Sequence, residues 1–191
     1  MLKDYGEVTD VQRSKIKVVS NFHTHNYLCG HAGGTVSDYV ARAVEYGYES
    51  IGISDHCLSP VDTYDPFFSL KNIGDAYLPQ FDVAREKYGD KIKIYAGVEI
   101  EYFSGHDEYY RKLLEKLDYL VLGQHAFFNG GMLMNSFVDG DSESNVVAYC
   151  EAAKRGIESG FFSVFAHPDL IFYRRITPAA TIKKNFDGLI K

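Results

Sequence analysis

Three of the chain's seven histidines, His23, His25 and His31, fall within the segment SNFHTHNYLCGHAGG (Ser20–Gly34). In an extended segment, side chains two apart point to the same side, so His23 and His25 can offer their imidazoles to one ion. His56 follows directly on Asp55, His125 lies in LGQHAF, and His167 lies in FAHPDL. Glu99, in GVEIEY, adds a carboxylate whose two oxygens can bridge two ions. Imidazole nitrogen and carboxylate oxygen both serve zinc, iron and manganese. Two or three such divalent ions lower the pKa of a bridging water and clamp the attacking and leaving oxygens of an in-line phosphoryl displacement. The residue types therefore point to multinuclear, metal-dependent hydrolysis, without needing a thiolate ligand.

Several neighbours carry two readings each. Asp55 can orient a ligating histidine or serve as a turn residue. Glu101 shares a strand face with Glu99 and can contact metal, contact an amine on a substrate, or be an ordinary solvated acid. Arg174 and Arg175 can fork onto a phosphate or form a surface basic pair. Cys29 and Cys57 flank ligand positions and suit small packing residues. His106, in SGHDE, starts a helix as an exposed or capping residue.

The elements that must carry these side chains read as strand, loop and helix, repeated. Residues 15–22 (KIKVVSNF) are β-branched and apolar and predict a first strand. Ser37 is the expected N-cap of a helix through Val40, Ala43 and Val44 that stops at Gly47. SIGIS (Ser50–Ser54) predicts the second strand, and Ser69–Tyr88 a helix broken or kinked at Pro79. KIKIYAGVEIE is the third strand, DEYYRKLLEKL the third helix, and YLVLG (Tyr119–Gly123) the fourth strand. FFNGGMLM carries the Asn-Gly signal of a hairpin. ESNVVAYCEAAKRGIESG is a helix with a glycine end, and FFSVFAH the fifth strand.

Alternating β and α elements imply a parallel sheet. The glycine-rich loop after the first strand matches neither GxGxxG nor GxxxxGK[ST], which weakens a nucleotide-fold reading. Every expected strand instead ends in a potential metal ligand. In βα barrels the C-terminal strand ends converge on one face, where chemistry is built. Six of the seven histidines fall at or near that rim.

Composition bounds the rest. A chain of 191 residues suits one domain with its own core. Its net charge of -6 argues against a nucleic-acid surface. No run approaches the roughly 18 apolar residues of a membrane span. Three cysteines without CxxC spacing suit a reducing, cytoplasmic setting.

The segments FHTHNYLCGHA, GISDHC, GVEIEY, LGQHAF and FAHPDL, in order from about Asn21 to Leu170, resemble successive motifs of the PHP (polymerase and histidinol phosphatase) family. The similarity is closest to its histidinol-phosphate phosphatases. The resemblance implies a (β/α)7-type distorted TIM-like barrel with two or three divalent ions (Zn, Mn or Fe) at the rim. It implies His23 and His25 on one ion, His31 and His56 on another, and His125 and His167 on a third, bridged by Glu99. The implied substrate is a small phosphorylated one, L-histidinol phosphate, hydrolysed to L-histidinol and phosphate. Arg174, Arg175 and Glu101 are the candidate substrate contacts.

The family's last motif, resembling Ser-Asp-Ala-His, has no counterpart after Leu170. The tail RRITPAATIKKNFDGLIK instead reads as a helix start, with Thr177 as cap and Pro178 at the first position. Five βα units are legible where barrel closure needs two or three more, so roughly 60 to 90 residues are expected beyond them. Residues 1–191 are thus expected to be a single PHP domain lacking its C-terminal portion. A phosphodiesterase or nuclease acting on nucleotides, and a catalytically incomplete metal-binding module, are the competing functions.

Overall fold

The computed structural model describes residues 18–61 and 73–174. Five parallel strands form one curled sheet in the order β1-β2-β3-β4-β7, a half-barrel of the TIM-like type. They are β1 (Ser20–Asn21), β2 (Ser50–His56), β3 (Lys93–Ile100), β4 (Tyr119–Leu122) and β7 (Val164–Phe165). Helices α1 (Val36–Glu45), α2 (Leu78–Tyr88), α3 (Asp107–Leu114) and α4 (Glu143–Glu158) connect them. The hairpin of β5 (Ala126–Asn129) and β6 (Met132–Asn135) is inserted between β4 and α4. Its two-residue loop, Gly130-Gly131, takes φ of 58° and 82°, the doubly positive geometry of a type I′ turn.

Two expected local features resolve differently. Helix α1 is capped by Thr35 rather than Ser37: the Thr35 side chain accepts from Asp38 N, and Asp38 accepts from Thr35 N at 2.8 Å. That reciprocal capping box requires an acid three residues on, which Thr35 has and Ser37 lacks. The expected break at Pro79 takes the form of a change of helix type rather than a kink within one α-helix. A π-turn over Ile73–Tyr77 runs directly into α2, and Pro79 falls in the first turn of α2, one residue past that junction. Residues 69–72 of the expected longer helix and 15–17 of the expected first strand lie outside the described residues. Gly47 and Gly160 follow α1 and α4 with φ of 73°, as the helix-stop reading requires.

Strand alternation divides the core into two layers. Ile51, Ile53, Val98, Ile100 and Leu120 point out against Val36 and Val40 of α1, Phe81 and Ala84 of α2, and Tyr110 and Leu113 of α3. Tyr119, Val121 and Ala166 point into the curl beside Phe22, Tyr95 and Val164. The Tyr119 ring covers Gly52 of β2 and Gly97 of β3, where any Cβ would collide with it. Its hydroxyl donates to the Phe22 carbonyl at 2.9 Å. One side chain thus ties β4 across β3 and β2 to β1, closing the floor beneath the strand ends. Among the described residues no helix is long and apolar enough to cross a membrane.

Candidate metal centre

The parallel register brings the polar strand ends together. His56, the last residue of β2, pairs with Glu99 of β3, whose side chain points into the curl with Gly97 and Tyr95. Glu99 is buried at 1% exposure, and five imidazoles converge on it. Nε2 of His23 and of His25 lie 3.0 and 3.2 Å from Oε2, and Nδ1 of His56 lies 3.4 Å from the same oxygen. Nε2 of His125 and of His167 lie 3.2 and 2.7 Å from Oε1. Burial alone would raise the Glu99 pKa, but the hydrogen bonds from His125, His167, His23 and His25 outweigh it and hold the carboxyl well below the usual range.

This crowd fits bound cations better than hydrogen bonding alone. A carboxylate offers about four lone-pair sites, fewer than the imidazoles gathered here. The Nε2 atoms of His23 and His25 also face each other at 3.2 Å. With metal–nitrogen and metal–oxygen bonds of about 2.0–2.2 Å, donors sharing one ion at ordinary angles stand about 3 Å apart. The observed spacings match the edges of such a polyhedron. Three sets have donor atoms within 4.8 Å of one another: His23, Glu99 and His167; His25, His56 and Glu99; and His25, Cys29 and His31.

The loops hold these rings in place. Asn26, fully buried, caps the short turn Tyr27–Cys29 through Leu28 N, and its own N–H donates to Asp55 Oδ1 at 2.6 Å. Asp55 Oδ1 also lies 3.8 Å from His25 Nδ1, placing a carboxylate behind that ring. Burial pushes the Asp55 pKa up to about 6, with the Asn26 N–H pulling the other way. Burial likewise pushes His56 down to about 3, keeping it neutral with a free lone pair. His167 has φ of 30°, the one positive value outside glycine among the described residues. Strain of this kind persists where surrounding contacts over-determine a residue, here the 2.7 Å contact to Glu99.

The remaining sequence candidates fall around this centre. His31 is exposed, with its ring 4.9 Å from those of both His25 and His56, and its Nδ1 is 3.1 Å from Cys29 Sγ. Cys29 is fully buried and donates to the Asn26 carbonyl at 3.1 Å. Glu101 lies 3.0 Å from His125 Nδ1. Arg174 donates to the Val138 carbonyl at 3.4 Å, and Arg175 lies outside the described residues. His106 occupies the N-cap position of α3 without a side-chain capping bond.

Sequence reasoning passed over Gly123 and Asn26. Gly123 has to lack a side chain, because a Cβ there would fall on the Glu99 carboxylate. Its only sequence signal is a glycine immediately after an apolar strand. Asn26 is signalled by its place as a turn cap one residue after His25.

The family model of the PHP domain matches residues 21–190. The chain belongs to the PHP domain family. Relatives of this PHP chain include a Deinococcus radiodurans protein named "Probable histidinol-phosphatase", 24% identical over 155 residues, covering 78% of this chain and 59% of that protein. The histidinol-phosphatase of Bacillus subtilis is 21% identical over 155 residues, covering 75% of this chain and 58% of that one. The chain therefore spans little more than half the length of these relatives. Among solved structures, the histidinol phosphate phosphatase of Lactococcus lactis, complexed with zinc, L-histidinol and phosphate, superposes with a TM-score of 0.66 at 16% identity. That match covers 90% of this PHP chain and 67% of the other, and shows a shared fold.

Proposed function

We propose that this chain forms the metal-holding half-barrel of a phosphomonoesterase that hydrolyses L-histidinol phosphate to L-histidinol and phosphate. The observation that carries the reading is Glu99, buried at the strand ends with five imidazoles gathered on its two oxygens. His23, His25, His56, His125 and His167, with Glu99 between them, are the ligands of this reading, and His31 joins from the rim beside His25 and His56. Two or three divalent ions, zinc, manganese or iron, suit this nitrogen and oxygen donor set. When bound, such ions lower the pKa of an attacking water and neutralise charge on the phosphoryl oxygens.

The chain's own residues do the positioning. Asn26 and Asp55 fix the loop that presents His25, and the Tyr119 floor fixes the ends of β1–β4. Gly123 leaves the space into which the Glu99 carboxylate reaches. The substrate identity is supported by the names of the relatives from Deinococcus radiodurans and Bacillus subtilis. It is also supported by the L-histidinol and phosphate held by the Lactococcus lactis protein.

Phosphate release by zinc- or manganese-loaded protein tests the reading. Turnover of L-histidinol phosphate in preference to bis-p-nitrophenyl phosphate and short single-stranded DNA is the expected result. Cleavage of the diesters alone would assign the site to phosphodiester chemistry. Metal uptake without any turnover would make the chain a metal-binding module.

A further inference from the structure

Glu101 stands two residues beyond Glu99 on the same face, as strand alternation requires. It is 8% exposed, and its Oε1 lies 3.0 Å from Nδ1 of His125. The other nitrogen of that ring, Nε2, lies 3.2 Å from Oε1 of Glu99. One imidazole is therefore held between two carboxylates, one at each nitrogen. The ring is also fixed in plane, with the Phe137 ring parallel to it within 3° at 5.9 Å. The chain enters and leaves it through fixed backbone bonds, His125 N to the Gly123 carbonyl at 2.9 Å and Ser136 N to the His125 carbonyl at 2.7 Å.

We infer that Glu101 is a positioning residue, which accepts the Nδ1 proton of His125 and so presents its Nε2 lone pair to the ion shared with Glu99. The inference rests on the metal-centre reading above and replaces a substrate contact as the role of Glu101. An ionised carboxylate is acceptor-only, so the proton between it and Nδ1 must sit on the ring. An ion bound at Nε2 would take the place of any proton there, leaving the ring neutral with its one proton on Nδ1. A carboxylate behind a ligating imidazole also raises its basicity and fixes its orientation. Two other rings at the centre lack a hydrogen bond of this kind: Nδ1 of His167 is buried without a partner among the described residues, and Nδ1 of His25 faces Asp55 Oδ1 only at 3.8 Å, beyond hydrogen-bonding distance. Low exposure leaves the Glu101 carboxylate little surface to offer a substrate.

Glu101→Leu, Glu101→Gln and the unaltered protein separate these roles through zinc competition with a chromophoric chelator. Circular dichroism and melting confirm that each variant folds. Glu101→Leu is expected to weaken one zinc ion by about 10–100-fold and leave the others unchanged. Glu101→Gln keeps an acceptor oxygen and is expected to recover most of that loss. In the 15N-labelled, zinc-loaded protein, a slowly exchanging Nδ1–H resonance of His125 should be present and should vanish in Glu101→Leu. Zinc binding by Glu101→Leu equal to that of the unaltered protein overturns the inference. So does a loss confined to L-histidinol affinity, which would return Glu101 to substrate contact. If the unaltered protein takes up no zinc, the metal-centre reading itself falls and the positioning role falls with it.

Discussion

Gly123 and Glu99 occupy one space: the carboxylate of Glu99 fills the volume that a side chain on residue 123 would need. The position just past β4 is bare so that the end of β3 can be polar. Glu99 is thereby held at the height of the strand ends, where five imidazoles reach it.

Gly123→Ala is expected to push Glu99 off its imidazoles and cost about 1–3 kcal/mol through overpacking. Metal content after dialysis against trace zinc, together with urea denaturation, measures both effects. An alanine variant with unchanged zinc content and midpoint would mean that Glu99 has another resting place.

Removing metal should lower stability, because ions that bind only the folded chain stabilise it by mass action, about 2.7 kcal/mol at a concentration 100 times Kd. Glu99→Gln should abolish that metal-dependent increment. Thermal melting with zinc and with chelator checks this; a variant still stabilised by zinc to the same extent would show that Glu99 is not shared by the ions.

Tyr119→Phe removes the hydroxyl that reaches the Phe22 carbonyl, and is expected to cost about 1 kcal/mol. The ring still covers Gly52 and Gly97, so the variant should fold normally and melt lower. Tyr119→Ala opens the floor of the half-barrel and should cost about 3–5 kcal/mol. Equal melting temperatures for Tyr119→Phe and the unaltered chain would contradict the bridging role.

Burial raises the pKa of Tyr77, Tyr110, Tyr119 and Tyr149 above the ordinary value of 10.0. Each favours folding fully below that value and loses its contribution as pH rises above it. These phenols should ionise only together with alkaline unfolding. Tyrosinate absorbance followed alongside circular dichroism tests this, and full ionisation before any loss of structure would contradict it.

The succession of strands, the hairpin and the histidine or glutamate at or near each strand end were legible in the sequence because each rests on local signals. The Asn-Gly-Gly turn, the helix-stop glycines and the runs of β-branched residues act within a few positions. Thr35 was missed in favour of Ser37 because the deciding partner, Asp38, matters only through a reciprocal bond. Pro79 marked the place of an irregularity but not its form, because a proline inside an apolar pattern reads alike as a kink and as a first turn. The roles of Gly123, Tyr119 and Glu101 depend on neighbours brought together across the sheet. Spacing puts Glu99 and Glu101 on one face; only the fold shows that one meets five rings and the other backs a single one.

The most direct test of the centre is anomalous diffraction at the zinc edge from crystals of the metal-loaded protein. More than one peak within coordinating distance of the Glu99 oxygens, each also contacted by rim imidazoles, is the predicted result. Zinc peaks elsewhere on the molecule, with Glu99 still hydrogen-bonded to bare imidazoles, would contradict it.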